Sequence, residues 1–255
     1  MEQITSRQNP LIARLRKLAG DRSLRRREGV FLCEGVKLAE EAVRWGAEIE
    51  VLVRARNFTL PFAPPAQARQ VEVPEDLLRA VSTVDAPQGV LCLCRMPPLA
   101  PPERLEPGRY LVLDGLQDPG NVGTVWRTAD AFGAAGLFLI DGCADPFSPK
   151  TIRSTMGACF RLPVWETGWE RLKPLLDAAG IPLYATALRS DTEDVRGAAL
   201  GRAAVIIGSE GRGLSAQLLA QCDGQIIIPM QPGAESLNAA VAAAVVMWEI
   251  ARAGM

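Results

Sequence analysis

The sequence contains no histidine among its 255 residues. Ser-His-Asp and Cys-His nucleophile arrangements are therefore excluded, as are HExxH and the other zinc sites that need imidazole. A GxxxxGK[ST] phosphate loop and a GxGxxG turn after a strand are also missing, so nucleotide hydrolysis and NAD binding lose their usual signatures. The chemistry that remains belongs to arginine, lysine, carboxylates, hydroxyls or a bound cofactor, and we expect no metal.

Long apolar runs and a cysteine framework are missing as well. No apolar segment follows the first charged residues, and the apolar helix pattern near the C-terminus is shorter than the roughly 20 residues that span a bilayer. We therefore expect a cytoplasmic protein without a membrane partner. The six cysteines show no framework spacing, so we expect reduced core thiols, with Cys92 and Cys94 on opposite faces of a strand.

The order of apolar segments predicts two α/β domains. Short strand and helix patterns alternate up to Cys94, and five prolines then fall within residues 97–108. We expect a small N-terminal domain over residues 1–96, a stiff linker over 97–108 and a second domain over 109–255. In the second domain, β-α-β patterns indicate a parallel sheet.

Two glycine- and proline-containing loops mark the expected binding end of this sheet. One follows the apolar strand at 204–207, and the other follows the strand that ends at Pro229. Ligands bind open α/β sheets outside the carboxyl ends of the strands. Ser236 is then a candidate N-cap of a last helix that runs to about Ala253. That helix is apolar nearly all round, so we expect it to be buried within the domain or against another subunit.

The formal net charge is only −1, but its distribution is uneven. Residues 1–30 carry eight lysines and arginines against three carboxylates, a local excess of +5. Such a block can bind phosphates, although it can also be a solvated helix face. The candidates for RNA contact in this block are Arg7, Asn9, Arg14, Arg25, Arg26 and Arg27.

Three motifs resemble those of the SpoU (TrmH-like) branch of the SPOUT RNA methyltransferases. They are Asp118-Pro119-x-Asn121 with Arg127-Thr128-Ala129, then Gly208-x-Glu210-x2-Gly213-Leu214, then Ile228-Pro229-Met230 with Ser236-Leu237-Asn238. The N-terminal stretch from Ser6 to Gly35 resembles the L30e-like substrate-binding domain found in many members. The resemblance covers nearly the whole chain.

The resemblance implies S-adenosylmethionine-dependent methylation of a ribose 2′-hydroxyl by a homodimer that pairs through the C-terminal domain. It also implies a trefoil knot in the parallel-sheet domain. The implied catalytic residues are Asn121, Arg127, Glu210, Ser236 and Asn238. The implied cofactor-binding residues are Thr186, Gly208, Ser209, Glu210, Gly211, Ile228, Met230, Ser236 and Leu237. The resemblance also adds Lys150, Arg153 and Ser154 as candidates for RNA or active-site contacts.

No motif in the sequence identifies the target nucleotide. The two-domain arrangement favours a large structured substrate, and we expect ribosomal RNA of the 23S type in preference to tRNA. Two other readings stay open: a noncatalytic RNA-binding protein that retains the fold, and a doubly wound enzyme that binds another adenine nucleotide. Methyl transfer and competition by ATP would separate them.

Overall fold

The structure is a computed structural model, and it describes residues 1–140, 142–187, 192–209 and 213–252. The chain divides into two compact units. The first comprises Met1–Pro97 and Asp145–Arg161, and the second comprises Pro98–Ala144 and Leu162–Met255. None of the described helices has the length and apolar character needed to cross a membrane.

Helices and strands alternate along both parts of the chain. Up to residue 97 the elements are β1 (Glu2–Gln3), α1 (Pro10–Gly20), α2 (Arg22–Glu28), β2 (Val30–Glu34), α3 (Val36–Arg44), β3 (Ile49–Ala55), β4 (Arg69–Val73), α4 (Glu75–Val81) and β5 (Val90–Arg95). From residue 98 they are β6 (Tyr110–Asp114), α5 (Pro119–Ala131), β7 (Gly136–Leu139), α6 (Pro149–Thr155), β8 (Val164–Glu166), α7 (Trp169–Ala178), β9 (Leu183–Thr186), β10 (Glu193–Asp194), β11 (Ala204–Gly208), α8 (Ala216–Leu219), β12 (Gly224–Ile227) and α9 (Ala239–Arg252). Short 3-10 helices cover Ala158–Phe160 and Leu200–Arg202.

The first unit is built on a mixed sheet whose described strands lie in the order β1-β4-β3-β5-β2. β5 runs antiparallel to β2 and β3, whereas β4 runs parallel to β1 and β3. Helix α1 buries Leu11, Leu15 and Leu18, the apolar stripe expected from the sequence. The predicted cap is confirmed, because the Asn9 side chain accepts a hydrogen bond from the Leu11 N–H and Pro10 occupies the first helical position.

The second unit contains a fully parallel sheet. Its described strands lie in the order β10-β12-β9-β11-β6-β7-β8. The buried strand β11 lies between β9 and β6; it pairs with β6 over all five residues and with β9 over Ala204–Ile206. This confirms the predicted fold class, a small mixed α/β domain followed by a parallel-sheet domain. The apolar runs of β11 and β12 are typical of strands covered on both faces, but β12 is only partly buried, because only Ile226 is fully enclosed.

The proline-rich run packs onto the second unit. Leu105 joins the apolar core of that unit, the Leu99 carbonyl accepts from the Glu166 N–H, and the Pro101 carbonyl accepts from Arg171. Prolines have no N–H to donate, but their carbonyls still accept hydrogen bonds. Residues 98–108 are therefore held along their length against one unit.

The segment Asp145–Arg161 belongs to the first unit although the chain around it belongs to the second. A buried ion pair holds it: the Asp145 Oδ2 lies 2.7 Å from the Arg25 Nη2, and the two residues are 9% and 3% exposed. Arg25 also donates to the carbonyls of Leu18 and Ala19. Phe147 of the same segment also packs on Phe31 of β2, with the two ring centroids 4.7 Å apart.

The burial of Arg25 contradicts the RNA contact predicted for this residue. Residues 1–30 were expected to form one basic surface, but α2 within this block has a buried side, and Leu24 and Arg25 lie on it. A buried guanidinium is stabilised by carboxylate and carbonyl partners within the protein. Arg25 therefore has a structural role, whereas its neighbour Arg27 is exposed.

The cysteines are free thiols, and four of them are buried. The expectation that strand faces separate Cys92 from Cys94 was wrong, because residues two apart point to the same face of a strand. Cys33 lies opposite Cys92, and its Sγ lies 3.8 Å from the Cys94 Sγ. Burial raises the pKa of Cys33 and Cys92, and it raises the pKa of Cys159 to about 12.

Replacing Arg25 by alanine is expected to destabilise the first unit by about 3–5 kcal/mol, because it leaves the Asp145 carboxylate buried without its cation. The measurement is urea or thermal unfolding. Arg27→Ala is the matched control on the exposed side of α2, and we expect it to change stability by no more than about 0.5 kcal/mol. Equal stabilities of the two variants would contradict a structural role for the Arg25–Asp145 pair.

Candidate active site

A cavity of about 310 Å³ lies at the carboxyl ends of β9, β11 and β12. Because these strands are parallel neighbours, their last residues and the loops after them meet at one edge of the sheet. Seven of the nine predicted cofactor-binding residues line this cavity: Thr186, Gly208, Ser209, Ile228, Met230, Ser236 and Leu237. The other two, Glu210 and Gly211, lie outside the described residues.

The carboxyl ends of β9 and β11 are held by close contacts. The Thr186 hydroxyl donates to the Ile206 carbonyl at 3.0 Å, which ties the end of β9 to β11. A Cβ on Gly208 would lie 2.8 Å from the Gly213 carbonyl carbon, so the loop can fold back on β11 only with glycine there. The Gly213 N–H in turn donates to the Ser209 carbonyl at 3.0 Å.

The composition of the cavity suits a nucleoside. Its walls are mainly apolar, with hydroxyls of Thr186, Ser209 and Ser236 as polar groups. Its volume is within the range of small-molecule sites, about 300–1,000 Å³. Sequence reasoning missed part of the apolar lining, including Ile207, Leu214, Ile226 and Ala242. Leu214 stands in the second motif, and the signal for the other three is that they lie at strand ends or in the first turn of α9.

Helix α9 begins at Ala239, two residues later than the predicted cap at Ser236 implies. Asn238, and not Ser236, supplies the cap: its Oδ1 accepts from the N–H groups of Ala240 and Val241 at 3.0 and 3.3 Å. Ser236 is exposed and lines the cavity. Of the predicted catalytic residues, Ser236 therefore lies on the cavity wall, whereas Asn238 caps the helix.

Asn238 also lies beside Asn121. Its Nδ2 is 3.4 Å from the Asn121 Oδ1, near the upper limit for a hydrogen bond. Asn121 stands in the first turn of α5, and the Asp118 side chain caps that helix by accepting from the Asn121 N–H at 2.9 Å. The two asparagines line an open groove between α5 and α9 together with Thr124, Thr128, Phe132, Ala240, Val241, Ala244, Val245 and Trp248.

One face of α9 stays exposed although it is apolar. The opposite face is buried and packs on α5 and β11. Val241 and Trp248 are each 49% exposed, and the Trp248 ring meets the partly buried Phe132 ring edge-on at 5.9 Å. Helix α9 was expected to be buried within the domain or against another subunit. Within the described chain, only one of its faces is buried. Sequence reasoning missed Thr124, Thr128 and Phe132, whose spacing along α5 places them on one face.

Arg127 lies on the exposed surface of α5 and does not line the cavity. On a helix it stands about 60° around the axis from Thr124, a residue of the groove. Among the described residues, none forms a hydrogen bond or ion pair with the Arg127 side chain. Within one chain, the structure therefore brings Asn121 and Asn238 together but leaves Arg127 outside the cofactor cavity.

The remaining RNA candidates all belong to the first unit. Several are engaged by carboxylates: Arg7 with Asp76 at 3.1 Å, and Arg14 with both Glu28 and Glu50 at 2.7 and 3.2 Å. Lys150, Arg153 and Ser154 lie on α6. Lys150 is exposed, whereas Arg153 donates to the Thr83 hydroxyl and Ser154 to the Lys150 carbonyl.

Two family models match the chain. The model of the SpoU rRNA methylase family matches residues 108–248, which include the cavity and the groove. The model of the MRM3-like substrate binding domain matches residues 9–92. The chain belongs to the SpoU rRNA methylase family. It is an RNA 2′-O-ribose methyltransferase with S-adenosylmethionine as cofactor, as predicted.

The similarity extends over nearly the full length of known relatives. The chain is 36% identical over 98% of its length to the 23S rRNA (guanosine(2553)-2'-O)-methyltransferase RlmP of Bacillus subtilis and covers 99% of that protein. It is 31% identical over 98% of its length to the 23S rRNA (uridine(2479)-2'-O)-methyltransferase of Streptomyces viridochromogenes, covering 92% of it. An AdoMet-bound rRNA methyltransferase structure from Sinorhizobium meliloti matches all of the chain and 98% of its own with a TM-score of 0.87 and 29% identity.

Replacing Asn238 by alanine is expected to cost about 1 kcal/mol of stability, because the first N–H groups of α9 lose their side-chain acceptor. The measurement is thermal unfolding of the purified protein. Ser236→Ala is the matched control, and we expect its stability to equal that of the wild type within about 0.5 kcal/mol. If Ser236→Ala were destabilised and Asn238→Ala were not, Ser236 would be the residue that caps the helix.

Proposed function

We propose that this protein methylates a ribose 2′-hydroxyl of 23S ribosomal RNA in the cytoplasm. The observation that carries the proposal is the cavity at the ends of β9, β11 and β12 beside the Asn121–Asn238 pair. The cavity suits the nucleoside of the cofactor, and the groove beside it is open to a large substrate. The named activities of the two bacterial relatives support ribosomal RNA as substrate, but they concern different nucleotides, so the target nucleotide stays open.

The proposed division of the chain follows its two modules. Residues 1–96 form the L30e-like substrate-binding domain, residues 97–108 connect it, and residues 109–255 form the methyltransferase domain with a trefoil knot. The matches at residues 9–92 and 108–248 support these bounds. Within the second range, residues 145–161 are an excursion that packs with the first unit.

The chemistry needs alignment more than acid–base power. The bound cofactor supplies an activated methyl group on a sulfonium, and the protein must place a ribose oxygen in line with it. We assign Ser236, Asn121 and Asn238 to orienting the ribose near the cavity. Arg127 binds a phosphate of the target RNA or the developing alkoxide of the ribose. It does so through its guanidinium, which stays protonated in proteins. Glu210 remains a proposed cofactor and catalytic residue.

The exposed apolar face of α9 supports a homodimer formed through the methyltransferase domain. Val241 and Trp248 stand half exposed along a groove that also contains Val245 and Phe132. Large apolar side chains that are contiguous and exposed mark interaction sites. A C2 contact on this face would bury the same residues of both copies. Arg127, next to the groove on α5, would then lie at the dimer interface.

This geometry leads to a specific assignment: Arg127 of one protomer serves the cofactor cavity of the other. Two observations support it. Arg127 does not line the cavity of its own chain, and it lies on the helix that borders the apolar face. The active site is then complete only in the dimer.

Arg127→Ala is expected to lower methyl transfer to an unmodified 23S rRNA transcript by about 100-fold or more, since a charged hydrogen bond to the reacting group is lost. Arg127→Lys keeps the charge but not the planar fork, and we expect it to stay below about one tenth of wild-type kcat/KM. The measurement is incorporation of labelled methyl groups from S-adenosylmethionine, with cofactor affinity determined separately.

The outcomes separate the alternatives. Full activity of Arg127→Lys would refute a role that depends on the fork. Cofactor binding without methyl transfer to any RNA would support a noncatalytic RNA-binding protein. Transfer to tRNA in place of rRNA would reassign the substrate.

Mixing two inactive variants tests the shared site. Arg127→Ala keeps an intact cavity, and Gly208→Ala keeps an intact arginine but forces a Cβ against the Gly213 backbone. After co-expression, random pairing makes half of the dimers mixed, and each mixed dimer holds one complete site if Arg127 acts across the interface. We therefore expect about one quarter of wild-type activity.

The controls are the two variants alone and a mixture of the separately purified dimers before subunit exchange. No recovery in co-expressed dimers, with both variants folded and dimeric, would contradict action across the interface and would favour Arg127 acting in its own chain.

A further inference from the structure

The first unit carries an exposed tryptophan that the proposed catalytic machinery does not use. Trp45 follows α3 as its C-terminal cap residue and is 50% exposed. Large aromatic side chains usually lie inside a protein or in contact with a partner. Trp45 is nevertheless fixed in place, which distinguishes it from an apolar residue left at random on the surface.

Three side chains fix the ring through one carboxylate. Glu41, one turn earlier on α3, accepts from the Trp45 Nε1 at 3.2 Å, from the Lys37 Nζ at 2.9 Å and from Arg161. Glu41 is itself buried, and these partners lower its pKa, the Lys37 hydrogen bond being the largest cause. The Arg161 Cζ lies 5.6 Å from the centroid of the Trp45 ring, within the range of a cation–π contact.

The arrangement joins two distant parts of the sequence. Arg161 ends the segment Asp145–Arg161, and that segment approaches α3 at Gly157. A Cβ on Gly157 would lie 2.7 Å from the Glu41 Cγ, so glycine is required for this approach. The indole, guanidinium and carboxylate therefore form one preorganised cluster, which we call the Trp45 platform: Trp45, Glu41, Lys37 and Arg161.

A cleft continues from the platform. Lys37 belongs to both, because it also lines a cleft of about 460 Å³ that contains Met156 and Arg153. Met156 is 44% exposed. Among the charged residues of the platform, the cleft and the adjoining turn of α3, Lys37, Arg44, Glu40 and Asp85 are exposed, Arg153 and Arg161 are partly buried, and Glu34 and Glu41 are buried. The two buried carboxylates accept hydrogen bonds within the unit. The surface thus combines a fixed aromatic ring with accessible cations.

We propose that the Trp45 platform stacks an unpaired base of the RNA substrate, with the adjoining cleft taking the neighbouring nucleotide. Sequence-tolerant recognition of single-stranded RNA uses aromatic rings and arginine planes for the bases and cations for the backbone. We assign RNA in preference to a protein partner because the ring lies beside a guanidinium and an ammonium group, which neutralise backbone phosphates. This inference rests on the proposed rRNA substrate and adds a contact outside the methyl-transfer site.

The test compares Trp45→Leu with Trp45→Phe. Leucine keeps apolar bulk but has no ring, whereas phenylalanine keeps a stacking surface, so the pair separates stacking from packing. Stacking on an aromatic ring contributes about 1–3 kcal/mol per base, which corresponds to roughly 5- to 150-fold in affinity. We expect Trp45→Leu to raise the KM for a 23S rRNA transcript by about 10-fold and Trp45→Phe by less than about threefold.

Other readouts should stay constant. The kcat and the KM for S-adenosylmethionine of Trp45→Leu should match those of the wild type, because the platform and the cofactor cavity belong to different units of the chain. Binding of a labelled single-stranded RNA of roughly 10 nucleotides, followed by anisotropy, should weaken in parallel with the change in KM.

Equal RNA KM values for wild type and Trp45→Leu, with the wild type active, would overturn the platform while leaving the proposed function intact. The same holds if Trp45→Leu changes only the melting temperature, or if it changes only the oligomer mass, as a protein contact would. A wild type that methylates no rRNA would instead refute the proposed function, and oligonucleotide binding by the two variants would still decide the role of Trp45.

Discussion

The common direction of the strands in the second unit is the constraint on which its site depends. Because β9, β11 and β12 run parallel as neighbours, Thr186, Gly208 and Ile228 arrive at one edge although they are far apart in sequence. The loop that follows each strand therefore begins at that edge. The cavity, the cap of α9 and the Asn121–Asn238 contact all follow from this alignment.

The second feature is what the single chain leaves uncovered. Helix α9 buries one face on α5 and β11 and exposes an apolar face bordered by Trp248 and Val241. Arg127 stands on the neighbouring helix, away from its own cavity. The exposed apolar face of α9 and the Arg127 side chain on α5 are neighbours. We therefore assign both to one dimer interface.

The sequence predicted the fold class and the binding end of the sheet because both depend on local signals: apolar runs for strands, and glycine or proline turns after them. The individual residues of the cavity were implied by the family resemblance of the motifs. It failed where tertiary contacts decide. The basic block around α2 looked uniform, but only the fold shows that Arg25 faces Asp145, 120 residues later. Ser236 and Asn238 are both good cap residues, and only the path of the chain selects Asn238. The Trp45 platform had no sequence signal, since Glu41 and Arg161 meet only after residues 145–161 fold onto the first unit.

The central claim is that this chain places one methyl group on one ribose of ribosomal RNA. The most direct measurement is a map of 2′-O-methylation in 23S rRNA from the parent strain and from a strain that lacks this gene. The account predicts that a single ribose loses its methyl group and regains it with the wild-type gene but not with the Arg127→Ala gene. Identical maps in the two strains would contradict the account.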